Sequence, residues 1–385
     1  MEKISYPAEI QKFFNEVIPK IKAVLNPEYI LIAGSFGKGS WIYADGELLS
    51  DFEFVFICKS RWSVKKKKLL LKQLNSAYPY EISLKGYLEK NIKKKILSNY
   101  SFRNPGYIDL PFFDTFSEPR VLYSKNDNEF IPPKIGVNEI PIWEAWRLMV
   151  NRIGELLKLF ANYEKFHNTD YENYFWLKTF ESCADAFLLI NKKYKTNIDE
   201  RFQQIDNISN SYKNEADQSW IKYFFLLKDA LRARQNHNLS SFNISVLSSE
   251  ERMMNLFEWL CYSERKMFES ENITSLNQYL HSSDLQRKYL EVSGKKSIVI
   301  SNLIRIVANR SLLLVKPLKL TNYKYSWRHI ILLSLESAFM EYKEGRLHFE
   351  GSKEIMNKIF YTTAYEELTG EEFLFFVLNY WTLLR

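Results

Sequence analysis

The stretch from Tyr29 to Cys58 constrains the fold of this chain more than any other part of the sequence. It opens with a short apolar run, turns at Gly34-Ser35, and closes with a hydrophobic strand that carries Asp51 and Glu53. Because successive side chains of a strand point to opposite faces, we expect the two carboxylates on one face and the intervening phenylalanines on the other. The pattern predicts a strand with one core face and one acidic face.

The acidic face needs a partner, since two adjacent carboxylates repel each other and are costly to bury unpaired. The usual relief is a hard divalent cation with oxygen ligands, and Mg²⁺ commonly shares such a site with substrate phosphates. Upstream, glycines let the backbone approach an anion, and Ser35 adds a hydroxyl donor. Lys38 in the same turn is either a phosphate contact or an exposed loop lysine. The sequence therefore predicts a phosphate-binding turn beside a metal site.

A two-residue hairpin is predicted between the glycine-rich turn and the acidic strand, because Asp45-Gly46 is a strong turn signal. Taken in order, Gly34-Ser35, the glycine-rich turn and Asp51-Phe52-Glu53 within an apolar strand resemble the signature of the polymerase-beta-like nucleotidyltransferases. The resemblance implies their fold and their chemistry. That chemistry is the transfer of a nucleotide from a nucleoside triphosphate to a hydroxyl, with release of pyrophosphate.

The resemblance also assigns roles to residues of this sequence. Asp51 and Glu53 would hold Mg²⁺, with Mn²⁺ as a substitute, and two such ions would assist the displacement. Gly34 and Ser35 would hold the triphosphate, and Lys38 is a further candidate for that role. ATP or dATP is the expected triphosphate.

A third carboxylate usually completes such a site, and two candidates compete for that role. Glu81 lies between apolar residues on the strand predicted after the next helix, as in minimal family members. Asp109 lies in Tyr-Ile-Asp-Leu, a second predicted strand, as in longer members. Either residue could instead be a solvated carboxylate at a strand edge.

The chain past Glu139 shows helical apolar periodicity almost throughout. In it, Trp176-Leu177-Lys178-Thr179, followed by Asp185, Tyr194 and Arg201, resembles a pattern that larger family members carry on their helical half. The resemblance makes Lys178 a candidate for a second triphosphate contact, the alternative being an exposed helix lysine. Predicted helices cover 139–160, 171–193, 219–234, 250–268, 326–344 and 371–384.

The predicted fold class is α+β, with two domains as the length of 385 residues favours. Residues 1–137 would form the nucleotidyltransferase domain, a mixed sheet with helices, and residues 138–385 a large all-helical domain. The three cysteines are scattered and odd in number, as in a reducing cytosol. No signal peptide or membrane span is predicted, so we expect a cytoplasmic protein without a membrane partner.

The biological role is open to several interpretations at this stage. A large helical half resembles bacterial signal-making and antiphage-defence nucleotidyltransferases, such as that of the Hailong systems, in which deoxyadenosine oligomers grow on a protein hydroxyl. That resemblance implies a nucleotide or oligonucleotide signal, a nucleic-acid product or acceptor, and a defence partner protein, with Tyr380 as a candidate primer. The alternatives are a toxin-like transferase that nucleotidylates tRNA or protein, a small-molecule adenylyltransferase, and a nucleotide-binding module without turnover.

Overall fold

The computed structural model describes residues 5–97, 108–161, 169–212, 221–268 and 350–356, with a few isolated positions near the C-terminus. A mixed sheet with helices comes first and a largely helical region follows, which confirms the predicted α+β class. The strands are β1 (Tyr29–Ala33), β2 (Tyr43–Ala44), β3 (Glu47–Leu48), β4 (Phe52–Cys58), β5 (Ile82–Leu88) and β6 (Arg120–Ser124). The helices are α1 (Ala8–Leu25), α2 (Gly34–Lys38), α3 (Val64–Ala77), α4 (Glu89–Leu97), α5 (Leu110–Phe116), α6 (Trp143–Ala161), α7 (Thr169–Ile190), α8 (Ile198–Tyr212), α9 (Ile221–Gln235), α10 (Ser249–Phe268) and α11 (Glu350–Met356).

The main sheet has four strands in the order β5-β4-β1-β6. Strand β1 is antiparallel to both of its neighbours, whereas β4 and β5 run parallel. Parallel neighbours need a crossover connection, and α3 supplies it between β4 and β5. Ser63 begins that helix by accepting a hydrogen bond from the Lys66 N–H at 3.3 Å. The parallel register brings the beginnings of β4 and β5 together at one edge of the sheet.

The two faces of β4 enter different apolar layers. Phe52, Phe54 and Phe56 are fully buried in a cluster with α1 and α3, as the alternation predicted. Val55 and Ile57 point the other way and join the cluster formed with α5 and α6. The acidic residues at the start of β4 share this second face, so they look toward the helices that follow the sheet.

Helix α7 is the centre of the helical region and packs against α6, α8, α9 and α10. The apolar cluster around it also contains residues of β1 and β4, so the core is continuous across residue 137. The division at that residue therefore stays a prediction. Within the described part of the chain, no helix combines the length and hydropathy needed to cross a bilayer.

Several local predictions can be compared with the observed elements. The Asp45-Gly46 hairpin is confirmed between β2 and β3, with positive φ at both turn residues. The strand predicted around Asp109 is wrong, because Asp109 caps a helix instead. Helix α8 was not predicted. The helices predicted over 326–344 and 371–384 fall almost wholly outside the described residues, as does Tyr380.

Gly86 on β5 provides a test of the packing between this strand, β4 and the segment that leads into α3. A Cβ built there would overlap the Phe56 ring and lie 2.6 Å from Cζ2 of Trp62. Both rings are packed, so we expect Gly86→Ala to lower the free energy of unfolding by about 1–3 kcal/mol. Urea denaturation followed by circular dichroism measures the change. Gly136→Ala is the matched control, because its nearest contact would be an ordinary 3.7 Å; equal stability of the two variants would contradict the packing described here.

Candidate active site

A cavity of about 350 Å³ lies between the beginning of β4 and helices α6, α7 and α9. It brings together seven of the residues singled out in the sequence, from α2, the beginnings of β4 and β5, and α7. These are Gly34, Ser35, Lys38, Asp51, Glu53, Glu81 and Lys178. Asp109 is not part of the wall. Ser40, Arg152, Glu155, Tyr174, Glu181 and Arg234 complete it.

Gly34 connects β1 to α2 at a point of close backbone approach. Antiparallel pairing sets Ala33 opposite Glu53, so the next residue lies against the Glu53 side chain. Gly34 has φ +60°, and a Cβ there would overlap Oε1 of Glu53 and lie 2.8 Å from its Cδ. Only glycine satisfies both the conformation and the space. The predicted open turn is a one-turn helix, Gly34–Lys38, which begins directly above the carboxylate.

Ser35 is held by its backbone while its hydroxyl stays available. The Ser40 N–H donates to the Ser35 carbonyl at 2.7 Å, and the Ser40 hydroxyl donates to the same oxygen at 3.4 Å. The Ser35 Oγ is buried and has no hydrogen-bond partner among the described residues. Buried hydroxyls are normally satisfied, so an unpartnered one in a cavity wall suits a ligand that accepts its hydrogen bond.

Asp51 and Glu53 stand on the same face at the beginning of β4, as the alternation predicted. Burial raises the pKa of Glu53, and the neighbouring charge of Asp51 raises it further. Lys38, Lys85 and Lys178 act in the opposite direction without cancelling the rise. The pair therefore carries an uncompensated repulsion that a cation in the cavity would relieve.

Glu81 belongs to the same cavity wall as this pair. It immediately precedes β5, and the Phe52 N–H donates to its carbonyl at 2.8 Å. The parallel register pairs Phe52 with Ile82, which aligns Glu81 with Asp51 on the neighbouring strand. Of the two candidates for a third carboxylate, Glu81 is the one beside the acidic pair.

Asp109 has a structural role at a different position. Its Oδ1 accepts a hydrogen bond from the Phe112 N–H at 2.8 Å, which makes it the N-cap of α5. An aspartate followed by Leu-Pro is a good helix start, because proline is tolerated in the first turn. The prediction of a strand over Tyr-Ile-Asp-Leu overlooked this capping signal.

Two lysines named in the sequence line the cavity from opposite sides. Lys38, on α2, lies 3.6 Å from Oδ2 of the buried Asp114. Lys178, on α7, has its ammonium 4.7 Å from the centre of the Tyr174 ring, within cation–π range. Both lower the pKa of Glu53 and so are close enough for their charges to act on it.

Two arginines of the wall were not predicted as site residues. Arg152 on α6 is tied to Glu155 and donates to the Ser182 hydroxyl at 3.0 Å. Arg234 lies in the last turn of α9 and donates to the carbonyl of Ser40 at 3.0 Å. Neither stands in a local motif, and only the packing of three helices around the sheet brings them to the cavity.

Buried ion pairs fix the helical side of the site. Arg234 binds Glu181 through Nη2 at 2.7 Å and Nε at 2.9 Å. The Nη1 atom of Arg201 lies 2.5 Å from Oδ1 of Asp185 and 3.4 Å from Oε1 of Glu181. Burial alone would raise the pKa of Glu181, but Arg234, Lys38 and Arg201 outweigh burial and hold it well below the usual range. The residues of the helical pattern, Asp185, Tyr194 and Arg201, thus support the cavity wall from behind.

The chemistry of the donors can be compared with what a metal requires. Within the described residues, no three His, Cys, Asp or Glu side chains already stand close enough to enclose an ion. The acidic wall nevertheless offers only oxygen donors, which suit Mg²⁺ or Mn²⁺ rather than a thiophilic metal. The repulsion within the Asp51–Glu53 pair supplies the electrostatic reason to bind one. The residues present fit such a cation, and Glu81 lies in the same wall as a further oxygen donor.

Comparison of the chain with family models, with curated proteins and with solved structures finds no match. The function is therefore inferred from the geometry of the cavity and from the resemblance of the motifs.

The ion pairs of Glu181 predict a particular dependence of stability on pH. Because the folded pKa is lowered, ionised Glu181 stabilises the protein above the ordinary carboxylate value of 4.5, and this stabilisation is lost as the pH falls through the folded pKa. At neutral pH we expect Glu181→Gln to cost about 3–5 kcal/mol, since it leaves buried arginine charge unpaired. The cost should shrink as the pH falls below 4.5 toward the folded pKa, which urea denaturation at about pH 7 and about pH 3 measures.

The control for this prediction is Glu200→Gln, which removes an exposed carboxylate paired with Lys195 on the surface. It should change stability by less than about 1 kcal/mol. A cost for Glu181→Gln that is small, or that does not depend on pH, would contradict the network.

Proposed function

We propose that this protein is a metal-dependent nucleotidyltransferase that moves a nucleoside monophosphate unit from a nucleoside triphosphate to a hydroxyl. One observation carries the proposal: a single cavity is lined by both carboxylates and cations. Asp51, Glu53 and Glu81 form the acidic wall. The cations of the same lining are Lys38, Lys178, Arg152 and Arg234, of which the two arginines are paired with Glu155 and Glu181. A metal-bound triphosphate needs both kinds of surface at once.

The reaction exchanges one phosphorus–oxygen bond for another. The acceptor oxygen bonds to the α-phosphorus, its proton passes to solvent, and the bond to the bridging oxygen breaks so that pyrophosphate leaves with the electron pair. Bound Mg²⁺ or Mn²⁺ would supply charge neutralisation on the phosphates and a lower pKa for the attacking hydroxyl. Asp51 and Glu53 would hold that cation, and Glu81 would complete its ligands.

The remaining residues would hold the triphosphate. The unpartnered Ser35 hydroxyl can donate to a phosphate oxygen, and Gly34 leaves the space beside Glu53 that a side chain would fill. Lys178 is well suited to a terminal phosphate because its position over Tyr174 orders the ammonium without neutralising it. Arg152 and Arg234 already form ion pairs with protein carboxylates. They would therefore attract the triphosphate through their positive charge more than through direct hydrogen bonds.

The acidic pair favours turnover over simple nucleotide binding. Burying Glu53 beside Asp51 raises the pKa of Glu53 and is unfavourable for the free protein, and a module that only binds nucleotides has no use for it. A triphosphate such as ATP or dATP is the proposed donor, and a nucleotide or oligonucleotide signal is the proposed product. The cytoplasm is the proposed compartment, consistent with the buried free thiols Cys58 and Cys183.

Removing either carboxylate of the pair should abolish transfer. The purified chain is incubated with each α-labelled NTP and dNTP plus Mg²⁺ or Mn²⁺, and the products are resolved on gels and by mass spectrometry. We expect Asp51→Asn and Glu53→Gln to lower the rate at least ~100-fold, because the charge that holds the cation is lost. Glu47→Gln, in the exposed strand β3 nearby, is the matched control and should retain full activity.

The products also separate the alternatives. Oligomers indicate signal or polymer synthesis, labelled protein indicates self-priming or protein modification, and label that moves only when tRNA is added indicates a toxin-like transferase. Turnover that is absent with every triphosphate and both metals would refute the proposal.

The two candidates for the third carboxylate make opposite predictions. Glu81→Gln should lower the transfer rate by ~10–100-fold and leave the free energy of unfolding nearly unchanged, because its side chain is exposed at the cavity wall. Asp109→Ala should cost about 1 kcal/mol of stability through the lost cap of α5 and leave the rate unchanged. Rates and urea midpoints measured on both variants decide the matter, and the reverse result would give the role to Asp109.

A further inference from the structure

A second cavity of about 550 Å³ adjoins the candidate active site along the same chain segments. Its wall combines the Asp45-Gly46 hairpin turn, the first turns of α7 and the loop after α9. The volume falls within the range of small-molecule sites in proteins. The proposed function does not use this cavity.

The lining of the second cavity differs in charge from the first. None of the described residues that line it is lysine or arginine, and its formal charges are the carboxylates of Asp45 and Asp170. The other polar groups are uncharged amides and hydroxyls, among them Asn173, Ser240 and Asn243. Such a wall disfavours phosphate and suits an uncharged ligand rich in hydroxyl or ring nitrogen groups, with which the Asn173 amide can form hydrogen bonds.

His237 adds a fixed acceptor to this wall. Its Nδ1 lies 3.0 Å from the Trp41 carbonyl oxygen, which can only accept, so Nδ1 carries the proton in this contact. The ring stacks on Trp41 with centroids 4.0 Å apart, and burial lowers its pKa, which keeps the imidazole neutral. In that form Nε2 is the remaining ring nitrogen and accepts hydrogen bonds, as from a ligand hydroxyl.

The two cavities share three short pieces of backbone. Tyr174 lines the first and Asn173 the second on α7, one residue apart. Arg234 lines the first and His237 the second at the end of α9. Ser40 lines the first cavity, and Tyr43, at the start of β2, lines the second. The Tyr43 N–H donates to the His237 carbonyl at 3.0 Å. A ligand in the second cavity is therefore a neighbour of the first.

We propose that the second cavity binds the first acceptor of the transfer, an uncharged, hydroxyl-bearing molecule of nucleoside or sugar size. The acceptor role rests on the proposed function, whereas the binding of such a ligand does not. The bound hydroxyl gives up its proton to solvent and its oxygen bonds to the α-phosphorus held in the first cavity, as pyrophosphate leaves.

Binding measurements on the full chain test the inference. Saturation-transfer NMR with ribonucleosides, 2′-deoxyribonucleosides and monosaccharides as probes should find at least one that binds the unaltered protein. Asn173→Leu, similar in size but unable to hydrogen-bond, should weaken that binding at least ~10-fold, as should His237→Phe, which keeps an aromatic ring over Trp41. Asn207→Leu, on the exposed face of α8, should leave it unchanged.

A crossed comparison separates this inference from the proposed function. Lys178→Ala should weaken binding of ATP or dATP and spare the uncharged probe, whereas Asn173→Leu should do the reverse. If triphosphate binding fails in the unaltered chain, the proposed function fails while the probe still reports on the second cavity.

The acceptor role has its own readout. The label of an α-labelled triphosphate should move to the bound probe, and Asn173→Leu should raise the KM for that acceptor while sparing the KM for the triphosphate. The inference is overturned if no uncharged probe binds, if Asn173→Leu and His237→Phe bind it normally, or if turnover proceeds to other acceptors only.

Discussion

Arg234 joins the sheet to the helices at the candidate active site. Its guanidinium binds Glu181 on α7 and the carbonyl of Ser40, which follows α2. A buried arginine is tolerated only when its donors and its charge are matched, so the geometry of both partners is tightly specified. Ser40 in turn holds the Ser35 carbonyl. The position of the turn beside Glu53 therefore depends on a charge pair that lies in a different part of the chain.

The acidic face of β4 is unfavourable for folding, and the rest of the strand offsets it. Phe52, Phe54 and Phe56 are completely buried against α1 and α3, and each such ring contributes on the order of 2 kcal/mol through burial alone. On the opposite face, Val55 and Ile57 are anchored in the helical core. The strand is thus strongly held along its length while its first residues present unfavourable charge, which is the usual arrangement where a site is built into a rigid element.

How far the sequence predicted this site depended on the range of the interactions. Strand alternation and the Asp45-Gly46 turn are local, and both were predicted correctly. Asp109 was assigned to a strand because an apolar flank outweighed a capping signal that Asp-Leu-Pro does contain. Helix α8 likewise had a readable period, since Ile198, Phe202, Ile205 and Ile208 recur at helical spacing within a polar segment.

The cations that line the cavity could not be predicted from any local stretch of the sequence. Arg152, Lys178 and Arg234 lie on three different helices, and their convergence depends on how α6, α7 and α9 pack. No spacing rule relates such positions, so only Lys178 was named, and it was named from a resemblance. Arg201 was part of the same resemblance, and the structure gives it a buried supporting role with Asp185.

The proximity of the two cavities has a physical consequence for transfer. Holding both reactants on one rigid body converts a bimolecular encounter into a unimolecular step, and this accounts for much of the barrier that positioning can remove. Helix α7 carries Asn173 toward one cavity and Tyr174, Lys178 and Glu181 toward the other, so a single helix sets both distances. The contrast in charge would add selectivity, because the first cavity offers four cations to the phosphate end of a donor, whereas Asp45 and Asp170 are the formal charges in the described lining of its neighbour. On the proposed functions, a donor and an uncharged acceptor would be sorted into different cavities before any bond is made.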